Sequence, residues 1–260
     1  MGVSQNTYQT HIFAHKPVRI AQDAFEKIKD ESRNGKYDLS TIAHLSRVAA
    51  AMPFVSFAAG INVQNAAALY IAALHHDLGR LHTRNIGTKE QVITYASSEF
   101  TRYMQRRHPH DGFVMLGEMF SAVNDEGSKN IVHHARAQVL GHHTHCNSNF
   151  GDHNYPTEEQ LALYESTKDL MPFVLSNIKI FGPVLGAVDT IDATGIAPDV
   201  ERPFRAARLK SEGYTRQPGE NDVLFGTRIA NTELVQPQSI SIQEIGAVML
   251  DHYDQIMSAI

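Results

Sequence analysis

Ile71-Ala-Ala-Leu-His-His-Asp-Leu-Gly-Arg80 runs an alanine- and leucine-rich helix straight into two histidines, an aspartate and a glycine. Alanine and leucine are strong helix formers, and a helix is expected over Val63 to Leu78. Adjacent residues on a helix point about 100° apart, so His76 and Asp77 can grip one ion from two sides only near a helix end. Leu78-Gly79 supplies such an end. A carboxylate can bridge two cations and a neutral imidazole cannot. Asp77 is therefore the natural shared ligand of a two-ion centre.

Outward from this stretch, histidine recurs in short acidic and glycine-punctuated segments. Eleven of the fifteen histidines lie between His75 and His153, in segments that include His108-Pro-His-Asp-Gly112 and Val139-Leu-Gly-His-His-Thr-His145. Upstream stands His44 in Thr41-Ile-Ala-His-Leu-Ser-Arg-Val48, and downstream Asp189 in Ala187-Val-Asp-Thr-Ile-Asp-Ala193. Neutral imidazole and carboxylate are the donors that hold first-row metals in water-activating sites. The isolated His11, His15, His82 and His252 read as ordinary surface or core histidines, and His75, His145 and His153 receive no role. The single cysteine, Cys146, excludes an internal disulfide framework and a cysteine-based zinc site, and reads as a bystander thiol.

The long segments read as helices. Ala21 to Arg33 is amphipathic, and Leu39 to Ala51, Lys89 to Arg106, Ser128 to His143 and Glu158 to Lys168 continue the pattern. Pro109 is placed in the first turn of a helix running through Met119. Phe181, Val184, Leu185 and Val188 give the stripe of a helix that carries Asp189. Residues 146–157 are turn-rich. Strand signals stand out only at Asp222–Ile229 and Ser239–Ile242, within a less regular stretch from 211 to 240, before a closing helix from Ile242 to Ile260. The fold expected is mostly α, one domain: an N-terminal helical extension over 1–35, a core over 36–210 and a closing extension over 211–260.

Composition sets the outer limits. The 260 residues, with 42% hydrophobic and 20% charged, are ordinary for a globular chain able to bury a core. A net charge of −5 argues against an extended nucleic-acid surface, while leaving room for a local basic pocket. No basic start followed by an apolar stretch opens the chain, and Asn6 stands where myristoylation wants Ser or Thr. The apolar stretches Ala49–Val63 and Ala66–Leu74 are too short or interrupted to span a bilayer. A cytoplasmic location without membrane association is expected.

His44, then His76-Asp77, then Asp189 resembles the H…HD…D pattern of the HD-domain superfamily of metal-dependent phosphohydrolases. The likeness extends to the HD-GYP branch. That branch carries His-Pro-x-x-Gly (here His108 to Gly112), a His-His pair at a helix end (His142-His143), Asp-x-x-Asp-Ala (Asp189 to Ala193) and Arg-Pro-Tyr-Arg (Arg202-Pro-Phe-Arg205). The order holds from about residue 38 to 208, roughly two-thirds of the chain. The dipeptide alone is weak, whereas five elements in order are specific. The resemblance implies an HD-domain-like helical bundle in which His44, His76, Asp77 and Asp189 hold a first divalent ion. Asp77 would bridge to a second, held by His108 and one or both of His142 and His143. His110 competes with His108, and the pair His133-His134 competes with His142-His143. Arg80, where the family usually has lysine, would face a phosphate, and Arg202 and Arg205 would add phosphate-side contacts. Asp192 reads either as a support behind a ligand or as an exposed acid.

Three departures refine this. Ser40 stands where the family's three-ion members have glutamate, which points to two ions. Thr144 replaces the glutamate after the His-His pair, and Asn154-Tyr155-Pro156 replaces Gly-Tyr-Pro on the substrate side. The activity implied is hydrolysis of a phosphomonoester or phosphodiester, nucleotides and cyclic dinucleotides included, by a hydroxide activated between two ions. The mixed N/O donor set suits iron or manganese. The alternatives are an HD-domain diiron oxygenase that cleaves a C–C or C–P bond, and a non-catalytic metal or nucleotide sensor.

Overall fold

A computed structural model describes residues 3–35, 39–81, 99–142, 171–196 and 209–259, and among these it is a helical bundle without a strand ladder. Its helices are α1 (Gln5–Ala14), α2 (Lys16–Arg33), α3 (Leu39–Ala58), α4 (Val63–His75) and α5 (Leu78–Leu81). They continue as α6 (Glu99–Met119), α7 (Glu126–Gly141), α8 (Met171–Ile191), α9 (Asp222–Glu233), α10 (Ile242–Asp251) and α11 (Tyr253–Met257). The first part of the helix expected from Lys89 (residues 89–98), the helix expected over 158–168, the turn-rich 146–157, and His143, Arg202 and Arg205 lie outside the described residues.

α4 is the central helix. Asn62 caps it, its side chain accepting from the Asn65 amide at 2.9 Å. Ala66, Ala67, Ala68, Leu69, Ile71, Ala72, Ala73 and Leu74 are all buried, so the helix is apolar all round, as a helix surrounded by others must be. The short alanine side chains let α1, α2, α3, α7 and α8 pack against it. One buried cluster contains Tyr8, Ile12 and Phe25 from the N-terminal helices, the α3 and α4 residues, and Ile245, Met249 and Ile256 from the C-terminal ones. The consequence for the site is positional: α4 delivers His75, His76 and Asp77 to the middle of the bundle.

Several elements differ from the sequence expectation. α3 runs on past Ala51 through a buried Pro53 to Ala58. A proline inside a helix removes one backbone hydrogen bond, and burial of both sides of α3 outweighs that loss. The helix is long and apolar enough to cross a membrane, yet 78% of its most apolar window is buried inside the bundle. α6 likewise continues through Pro109 instead of starting there.

The third difference is α9, a helix in place of the strand expected at Asp222–Ile229. Asn221 caps it by accepting from the Leu224 amide at 2.9 Å. Gly226, which weakens the helical pattern, is there because α9 crosses the end of α8: a Cβ on Gly226 would run into the Ile191 carbonyl, and one on Gly195 into the Asp222 carbonyl. Ser239–Ile242 is the entry to α10, where Ser241 and Glu244 form a reciprocal capping box. The closing helix is divided at His252 into α10 and α11.

Candidate metal centre

Two groups of three buried ligand-type side chains meet at the C-terminal end of α4. His44, His76 and Asp189 form one, and Asp77, His108 and His142 form the other. α3 supplies His44, the α4–α5 junction His76 and Asp77, α6 His108, the end of α7 His142, and α8 Asp189. Five elements thus converge. His76 and Asp77 occupy the turn between α4 and α5, the helix end that lets neighbours in sequence point into two different groups.

In the first group the His44 and His76 Nε2 atoms are 3.3 Å apart. Asp189 Oδ1 lies 3.0 Å from His44 Nε2 and 3.6 Å from His76 Nε2. In the second, the Nε2 atoms of His108 and His142 are 3.2 Å apart. Asp77 Oδ1 faces them at 3.3 and 3.8 Å respectively. The groups touch one another: the rings of His76 and His142 meet edge to face with centroids 5.1 Å apart.

The hydrogen bonds fix which nitrogen faces inward. His44 Nδ1–H donates to Asp192 Oδ2 at 2.6 Å, His76 Nδ1–H to the Ala73 carbonyl at 3.0 Å, and His142 Nδ1–H to the Val139 carbonyl at 2.6 Å. With Nδ1 carrying the hydrogen, Nε2 of the neutral ring presents a lone pair. Two such lone pairs at 3.3 Å, as in His44 and His76, repel unless a cation lies between them. The first group therefore has the chemistry of a cation site, and each of the two groups could hold a metal ion.

The electrostatics agree. Burial alone would push the His76 pKa down, but the carboxylates of Asp77 and Asp189 overcome it and hold it above its ordinary value. Burial would raise Asp189, yet the His44 and His76 rings beside it hold it well below the usual carboxylate range. Asp192 is also lowered, against its burial, by His44 and then by the Arg47 guanidinium. The field favours positive charge at the His76 Nε2 position. His75, by contrast, is pushed down to about 4 by burial, donates from Nδ1 to the Ile71 carbonyl at 2.9 Å, and packs against Phe25 as a neutral core residue.

Comparison of the chain with family models, with curated proteins and with solved structures finds no match. The site is read from its own geometry.

The structure gathers His44, His76, Asp77, His108, His142 and Asp189. His110, two residues beyond His108, instead stacks on Phe113 and faces Asp111 at 3.7 Å. His133 and His134 are half-buried along α7 and join neither group. Arg80 follows Gly79 in α5, and its side chain lies outside what the structure describes. Sequence reasoning missed Arg47. It is fully buried and grips Asp192 with Nε–Oδ1 at 2.7 Å and Nη2–Oδ2 at 3.2 Å. The available signal was its spacing: an arginine three residues after His44, on the same face of an otherwise apolar helix. Asp192, read either as a support or as an exposed acid, is 0% exposed.

Proposed function

We propose that the chain is a two-metal phosphohydrolase of the HD-domain type, acting on a small phosphorylated or nucleotide substrate. The observation that carries this reading is the pair of adjoining two-histidine, one-aspartate groups, with the inward tautomer set by hydrogen bonds at three of the four rings. When bound, two divalent ions would supply a nucleophile from water at neutral pH and neutralise charge on phosphoryl oxygens. Iron or manganese suits these donors.

The protein's residues have separable tasks. His44, His76 and Asp189 hold the first ion, and Asp77, His108 and His142 the second. Asp77, which stands with His108 and His142 and follows His76 in sequence, is the ligand that would be shared by both positions. Among the described residues around the two groups, the buried Asp77, Asp189 and Asp192 outnumber the buried Arg47 by two negative charges, fewer than the positive charge that two divalent ions would bring. An anionic substrate completes that balance, which favours a phosphoester. Arg80, one residue beyond Gly79, is assigned to the phosphate side, with Arg202 and Arg205 as further contacts.

Cleavage of bis-p-nitrophenyl phosphate or p-nitrophenyl phosphate by anaerobically purified, metal-loaded protein tests the reading. Release of p-nitrophenol without oxygen is expected. A second reading rests on the same ligands, because two histidines and one carboxylate also form the set used by non-haem iron oxygenases. Two irons with oxygen uptake and no anaerobic hydrolysis would move the assignment there.

Arg80→Ala should keep both metals and weaken substrate binding or turnover by about tenfold, the scale of one charge-assisted contact; unchanged kinetics would remove Arg80 from the site. Chelation should lower the melting midpoint by several degrees, since an ion present at 100 times its Kd contributes about 2.7 kcal/mol. A midpoint unmoved by chelator would contradict the metal reading. Because His76 binds a proton more readily than an ordinary histidine, protons compete with metal there. Occupancy should therefore fall as pH drops through that raised value, measurable by metal analysis after dialysis across pH.

A further inference from the structure

Resting on the metal reading above, we infer that the Arg47–Asp192 pair makes the two ion positions unequal, so that His44, His76 and Asp189 hold the tight ion and Asp77, His108 and His142 the exchangeable one. The reason is what stands behind the ligands. His76 and His142 each donate Nδ1–H to a backbone carbonyl, of Ala73 and Val139. His44 donates instead to a carboxylate, Asp192 Oδ2, at 2.6 Å. An anionic partner polarises the imidazole more than a neutral carbonyl does and makes its far nitrogen the stronger donor.

Arg47 is what keeps that partner an anion in one orientation. Its Nε and Nη2 bind the two oxygens of Asp192 in a fork, and the side chains of His44, Arg47 and Asp192 are all 0% exposed. The spacing is reciprocal. α3 presents His44 and, three residues on, Arg47. α8 presents Asp189 and, three residues on in the π-helical turn Asp192–Ile196, Asp192. Asp189 thus faces Nε2 of the same ring whose Nδ1 is held by Asp192. A π turn at this point re-aims Asp192 inward after the last regular turn of α8. Arg47 and Asp192 are positioning residues, acting through His44.

As free metal falls, the protein should pass through a one-ion state. The test is an anaerobic titration of metal-free protein with manganese(II), reading bound and free ion by electron paramagnetic resonance. Wild-type protein should bind in two steps separated by about tenfold or more, and His108→Ala should keep the tight step alone. Asp192→Asn should weaken the tight step by about 10- to 100-fold and leave the weak step in place. Should Asp192→Asn fail to fold, judged by circular dichroism, the wild-type and His108→Ala titrations still decide. Two equal steps, retention of only the weak step in His108→Ala, or an unshifted tight step in folded Asp192→Asn would overturn the inference while leaving the metal centre standing. No bound ion at all would overturn the metal reading itself.

Discussion

Asp77→Ala is expected to abolish phosphoester hydrolysis and to lose most of the bound metal. Asp77 is 2% exposed at the end of the central helix, and its Oδ1 faces two imidazoles of the second group. It also follows His76 directly, and its charge reaches that ring, raising the His76 pKa. Alanine removes the acidic ligand of the second position, which is also the one assigned to both. The imidazoles of His108 and His142, 3.2 Å apart, are then left without the anion that helps a cation bind between them. A single well-placed electrostatic group is worth about 10^2–10^3 in rate. Loss of a ligand shared by two ions should exceed about 10^3, or about 4 kcal/mol in the barrier. Elemental analysis and steady-state rates on the same sample check both halves. Near-normal metal content would show that Asp77 is not the shared ligand.

Gly79→Ala should have a large effect although it changes no ligand. Gly79 lies in α5, two residues beyond Asp77, and presses on the backbone of α6 at His108. A Cβ there would run into the His108 carbonyl, with the His108 Cα at 2.7 Å and carbonyl carbon at 2.9 Å. These are backbone atoms and cannot swing aside as a side-chain end would. Forcing α5 and α6 apart costs about 3 kcal/mol, the upper part of the range for overpacking. That corresponds to roughly 10 °C in the melting midpoint of a chain this size. The displaced element also carries a ligand, so Gly79→Ala should lose metal at the second position while keeping it at the first. Calorimetry with metal analysis reads both effects. A variant with wild-type stability and two ions would mean that α5 and α6 do not sit against one another in this way.

Much of this site is legible in the chain because its residue types are rare in apolar helices. A histidine in Thr41–Val48, a His-Asp pair closing an alanine-rich helix and an aspartate directly after the Phe181–Val188 stripe have few structural reasons to be there. What the sequence does not carry is distance. Arg47 reads as a lone cation until α3 and the end of α8 are seen together, when it becomes the partner of Asp192, 145 residues away. The choice of His142 over His133 and His134 depends on the end of α7 reaching His108. The same limit explains the fold. Gly226 and the apolar residues around it weaken the helical pattern, and only the crossing against Ile191 gives that glycine a purpose inside α9. Pro109 reads as a helix start because local rules count the lost hydrogen bond, while the burial that offsets it belongs to neighbouring helices.

The most direct measurement of the central claim is the metal content of anaerobically purified protein, taken per folded chain by elemental analysis after dialysis at a free-ion concentration that fills both steps, with the free ion subtracted. Two divalent ions per chain, falling to one in His108→Ala and to one in His44→Ala, is the result predicted by two adjoining three-ligand groups. No bound metal after reconstitution with iron and with manganese, or a content unchanged by both substitutions, would contradict it.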